Sequence, residues 1–228
     1  MSTPSNTIEL AGESFAIKEC SIWGYLGKRD GRWYCRWCVD AEAETRTFVV
    51  SEDGETYTNE LQPSVSANSI PLDVADWPEL DGKVVKTTGD HEDVAFFDNN
   101  DQRATYTIRT MTSHELCSNN VISFRRLQGN RFHLHWTADA YIHGIEGDKF
   151  VLDCAAEFTG VSLHSEVSDE TEVNDEAIGN IFDSVFPSGS FSQQPAKIRR
   201  IEEDGTLMID FESKFMPDLN SPKRITKP

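Results

Sequence analysis

From Arg131 to His143 apolar and polar residues alternate without a break: Phe132, Leu134, Trp136, Ala138, Ala140 and Ile142 stand against His133, His135, Thr137, Asp139, Tyr141 and His143. A period of two predicts a strand with one buried and one wet face. The same pattern occurs earlier, where Trp33, Cys35, Trp37 and Val39 alternate with Tyr34, Arg36, Cys38 and Asp40. Residues 32–41 align with 131–140, sharing Arg, Trp, Asp and Ala. The correspondence predicts a mainly β protein, with α+β as the alternative class. It is read as two tandem, internally duplicated antiparallel β-rich units over 1–100 and 101–216, one helix near 175–186, and a disordered tail over 217–228.

The remaining pattern fills in the units. Phe150, Leu152, Cys154, Ala156 and Phe158 alternate again, so 150–158 should pair with the 131–143 strand across a loop at 144–148. Short strands are predicted over 7–10, 15–26 (with Gly24 as a bulge), 47–51, 105–111 and 121–124. Two hairpins are predicted, one over 83–88 and 94–97, the other over 197–202 and 206–211. Residues 52–70 are polar and show no clear period, while Pro78 limits 71–80 to a single helical turn with Trp77 as a plug. Asp98 to Gln102 reads as the turn between copies, and Ser165 to Glu176, with six acids and no base, as a solvated loop. The helix is well signalled. Asn174 is its N-cap, Asp175 and Glu176 suit the positive end of its dipole, and Ile178, Ile181, Phe182, Val185 and Phe186 form one stripe before Pro187.

Composition narrows the function classes. Thirty-nine acids against 21 bases give a formal charge of −18, which disfavours nucleic acid and anionic membranes and favours a basic protein or a cation. No apolar run approaches a bilayer span, and the first twenty residues, which carry Glu9, Glu13 and Glu19, lack the pattern of a secretory leader. Five cysteines, an odd number placed on strands, suit a reduced cytoplasm better than a disulfide framework.

The candidate chemistry is sparse. His133, His135, Asp139 and His143 share a strand face, and imidazoles two positions apart can converge on a divalent metal. Cys35 and Cys38 form a Cys-x-x-Cys, but on a strand the two sulfurs face opposite ways, which places Cys35 in the core. The pairs Arg125–Arg126 and Arg199–Arg200 read as partners for nearby carboxylates. No phosphate-binding glycine loop or nucleophile elbow is present, so no triad is nominated. Carboxylates at Asp40, Glu42, Glu44, Glu166, Asp169, Glu170 and Glu172 are the candidate contacts for a basic partner. The leading expectation is a soluble, acidic, non-enzymatic binding protein of inhibitor or immunity type, without a cofactor. The alternative is a metal-dependent or small-molecule-binding protein using the histidine face.

Overall fold

A computed structural model describes residues 3–29, 31–52, 55–88, 105–110, 114–142, 145–167, 174–187, 190–203 and 206–219. The chain is mainly β, as the alternation predicts. Its strands are β1 (Thr7–Leu10), β2 (Glu13–Arg29), β3 (Arg32–Ala43), β4 (Arg46–Glu52), β5 (Glu55–Leu61), β6 (Ser64–Ile70), β7 (Val84–Thr87), β8 (Thr105–Arg109), β9 (His114–Arg126), β10 (Arg131–Ile142) and β11 (Ile145–Val167). Helix α1 (Asp175–Val185) follows, then β12 (Phe191–Gln193), β13 (Lys197–Glu203) and β14 (Thr206–Pro217). Among the described residues no helix is long and apolar enough to cross a membrane.

The sheet closes on itself. Its neighbours run β2, β3, β6, β8, β9, β10 and β11, and β11 returns to pair with β2, so strands from both halves of the sequence share one wall. Every pairing in this ring is antiparallel except the β2–β11 seam. Closure removes the open edges that would otherwise template aggregation. Strand β1 wedges into the seam, pairing with β2 on one side and β11 on the other.

Two glycines relieve crowding around the seam, Gly24 toward β3 and β11 and Gly160 toward β14. A Cβ at Gly24 would fall 2.6 Å from the Cys35 sulfur and 3.1 Å from a Val161 methyl, so close approach of β11 requires its absence. Gly24 thus serves the interior, and the irregularity of β2 falls at Ile17–Glu19. That break moves the inward positions from Phe15 to the even-numbered Ile22, Gly24 and Leu26. Gly160 sits at φ +107° at the register shift of the seam, past which β11 pairs with β2 at Val161 and Ser162 and also takes up β14 through Val161–Val167.

The interior follows the predicted faces. Phe132, Leu134, Trp136, Ala138 and Ala140 of β10 and Trp37, Val39, Ala41 and Ala43 of β3 are buried. Trp37 and Trp136 both point inward, but they differ in company. Trp136 donates its indole N–H to Asn120 and meets Phe150 and Tyr106 edge-on, while Trp37 lies against Phe158 and Phe186 with its own indole nitrogen lacking a hydrogen-bond partner.

One end of the barrel is plugged. The turn Trp77–Leu80, capped by Asp76, drives Trp77 under the barrel, where it stacks on Phe158 at 14° and meets Phe132 edge-on. Its indole donates to the Ser190 carbonyl at 3.1 Å. Helix α1 adds Phe182 and Phe186, which pack with Phe191 and Phe215. Asn174 caps the helix as predicted, accepting from the Ala177 amide at 2.7 Å.

The other end carries a hairpin. Strands β4 and β5 form a separate two-stranded sheet standing off the barrel. Among the described residues its base is the anchored part, held by Phe48 and Leu61, with Phe48 against Phe15 and Arg46 both paired with Glu13 and laid over the Phe48 ring.

Several expectations shift. Residues 55–61 and 64–70 are strands, although they show no periodicity in the sequence. The loop at 144–148 is tighter than expected, since Ile145 and Asp148 already pair with Ile142 and Ala140. Strand β11 runs through Val167, so the acidic loop begins later than Ser165. Pro217 lies within β14, and Asp218 donates to the Ser190 carbonyl. The partner expected for 83–88 at 94–97 lies outside the described residues, and β7 pairs with β9. Asp98 to Gln102 also lies outside them.

Candidate functional site

Two surfaces gather polar side chains. At the hairpin end, the sharp change of direction from β3 into β4 and from β5 into β6 leaves a cleft of about 270 Å³ lined by Glu42, Thr45, Glu60, Gln62, Ser64, Arg109 and Thr110. Around the base of the same hairpin lies a pocket of about 170 Å³ walled by Leu10, Ala11, Phe15, Phe48 and Leu61, with Glu13 at its margin. Both touch Thr110. Further out the hairpin is exposed, with Val49 at 70% and Tyr57 at 48%.

The expected partner-binding acids divide here. Asp40 is occupied internally, accepting from Trp23 Nε1 and from Ser66 Oγ. One Glu42 oxygen accepts from both Lys18 and Gln62, at 2.6 Å each. The hydrogen bond to Glu42 and its charge, aided by the weaker fields of Glu19 and Glu44, raise the Lys18 ammonium above its ordinary value against the opposing effect of desolvation. Glu44 is exposed. Glu166 stands opposite Asp210 in the β11–β14 register, away from the hairpin. Asp169, Glu170 and Glu172 lie outside the described residues.

The second surface is the outer wall of β9, β10 and β11. Alternation puts His133 and His135 there with Arg131 and Asp139, and the pairing sets His133 between Arg125 and Ala155. Arg125 donates to His133 Nδ1 at 2.6 Å, and because a guanidinium can only donate, Nε2 carries the ring proton and donates to Asp153 at 3.1 Å. Asp153 also accepts from the Ser5 amide at 2.8 Å. Burial pushes the Asp153 carboxyl up, but the Ser5 amide and His133 outweigh it and hold it below the ordinary 3.8. A metal at His133 would have to displace Arg125 or Asp153. Asp139 accepts from Asn119 at 2.7 Å, and His143 lies outside the described residues. Among the described residues no three His, Cys, Asp or Glu side chains gather as a metal set.

The cysteines are all free. A hydrogen bond to Cys154, then burial, push the Cys20 thiol well above its ordinary value, and burial does the same to Cys35. Burial takes Cys38 and Cys117 to about 12. These four thiols stay protonated at neutral pH, which suits packing and not nucleophilic or ligand chemistry.

The sequence does not single out Glu60, Gln62 and Leu61, because β5 has no buried face to reveal it, and Phe48 falls within the predicted strand 47–51 without marking a site. Nor does it single out Arg131, although the Gly129–Asn130 turn folds this residue back beside Arg125 and Arg126.

The fold and these two surfaces define a closed, predominantly antiparallel β-barrel with one plugged end and one hairpin-covered end. Comparison with protein-family models, with curated proteins and with solved structures finds no match to the chain.

Proposed function

We propose that this is a non-enzymatic binding protein that takes a basic protein partner at the hairpin end of the barrel. The carrying observation is the juxtaposition there of a cleft bearing Glu42 and Glu60 with an apolar pocket under Phe48 and Leu61, both bordering Thr110. Glu60 offers a cationic side chain its contact in the first, where Glu42 already accepts from Lys18 and Gln62 and Arg109 also lines the wall, and the second takes an aliphatic or aromatic neighbour. Interfaces of this kind combine charge steering with one buried apolar anchor. The surrounding acids, Glu13, Glu19 and Glu44, extend the negative field that speeds encounter with a basic surface.

The test is fluorescence anisotropy with a short labelled peptide of alternating arginine and leucine. Binding is expected to weaken steeply with added salt, and by about tenfold in the Glu42→Gln/Glu60→Gln double variant. Replacing leucine by serine in the peptide should cost a similar factor. Binding unaffected by the double variant would mean that the peptide senses only the overall charge, and the assignment of the hairpin end would fall.

A further inference from the structure

The barrel ring is closed, but the hairpin standing off it is not. Strands β4 and β5 pair with each other in an unbroken register from Arg46–Leu61 to Glu52–Glu55, and among the described residues neither pairs with any other strand. In an antiparallel ribbon, alternate residues of each strand turn their amide and carbonyl away from the partner. Each outer margin of the hairpin is therefore a row of backbone donors and acceptors that no described strand satisfies.

Folded proteins blunt such margins with lysine, proline, a bulge or a cover. Residues 46–61 contain neither lysine nor proline, their register has no shift, and Glu55 to Glu60 are all exposed. Thr47 to Val50 and Thr56 to Thr58 also favour an extended chain, so the margin is straight and open to pairing.

The two margins differ in charge. Strand β4 begins with Arg46, which is paired with Glu13, whereas β5 carries Glu55 and Glu60 and no base. The two faces of the hairpin differ as well. Cross-strand partners share a face, so Phe48, Tyr57 and Leu61 lie on one, beside the apolar pocket, while Thr56, Thr58 and Glu60 lie on the other, where Glu60 lines the acidic cleft. A strand laid along β5 with basic and apolar residues in alternation would meet both.

We propose that the partner binds by strand addition, an extended basic segment pairing its backbone with the outer margin of β5 to make a three-stranded sheet. This rests on the basic-partner reading and adds how that partner is held. Backbone pairing supplies the affinity, and alternate side chains, cationic toward Glu60 and apolar toward Phe48 and Leu61, supply the selectivity.

The test uses the alternating arginine and leucine peptide in two backbone-methylated forms, one methylated on every arginine amide and the other on every leucine amide. Side chains and charge are the same in both, and in an added strand only one set of amides faces β5. Anisotropy with the full chain should show one form weakened by at least about tenfold and the other within about threefold of the unmethylated peptide. Amide exchange followed by NMR should show new protection at the outward amides of β5 and not at those of β4. Equal affinities of the two forms, both retained or both lost, would overturn strand addition, while binding of the unmethylated peptide would still uphold the basic-partner reading. If the unmethylated peptide does not bind, both fall. Protection at the outward amides of β4, or of neither strand, would also overturn the proposal. So would sedimentation showing that the peptide-free chain dimerises through β5, which would give this margin to a second copy.

Discussion

The two ends of the barrel are built on opposite terms. At the plugged end, aromatic side chains from β3, β10, β11, α1, β12, β14 and the Trp77 turn interlock, so segments far apart in sequence depend on one another. At the hairpin end, the described residues of β4 and β5 meet the barrel at the hairpin's base, through Phe48, Leu61 and the Arg46–Glu13 ion pair. The clefts also differ in charge: Arg125, Arg126 and Arg131 line one beside the plug, while Glu42 and Glu60 line the one at the hairpin together with Arg109. Aromatic packing is therefore concentrated at one end, and under the proposed function the other can serve recognition without unfolding the wall.

Trp77→Ala puts this division to its severest test. The side chain is buried, stacked on Phe158, crossed by Arg126 and bonded to Ser190, so its loss removes a plug that its neighbours cannot refill. A cost of about 3–5 kcal/mol is expected in chemical denaturation, with the whole barrel unfolding earlier. Phe48→Ala is the counterpart at the other end. Phe48 is half-buried, and about 1 kcal/mol is expected. Faster amide exchange should be confined to β4 and β5, with β9–β11 unchanged. Equal costs for the two variants, or loosening of the barrel wall by Phe48→Ala, would erase the contrast.

The same contrast explains what the sequence made legible. Strand β10 announces itself because one face is wholly interior and its residues are large. Helix α1 does so through the Asn174 cap and a single apolar stripe meeting the plug. Strand β5 leaves no such trace, since Thr56 to Glu60 are exposed on both faces and nothing selects a period of two. In β6 the buried positions are Val65, Ala67, Ser69 and Ile70, and a serine and an alanine among them leave the alternation too faint to stand out. Barrel closure could not be read at all. It rests on the parallel seam between β2 and β11, and that contact depends on Gly24 having no side chain, a matter of spacing and not of hydrophobicity. The histidine wall was legible as a face, but the role of His133 was not, because Arg125 and Asp153 reach it from neighbouring strands.

The smallest expected effect probes how firmly the N-terminal segment is held beside the plug. The Asp153 carboxyl is depressed in the folded chain, so its ionised form contributes stability above the ordinary value of 3.8, and the contribution drains away as pH falls through the lower native value. Denaturation of wild type and Asp153→Asn across pH should show a constant difference above about pH 5, narrowing as acid protonates the carboxylate. Asparagine still accepts from Ser5, so what the variant loses is the charge facing His133. A difference that persists unchanged into strong acid would mean that the charge on Asp153 contributes nothing, and that the wall beside the N-terminal segment is held by uncharged contacts alone.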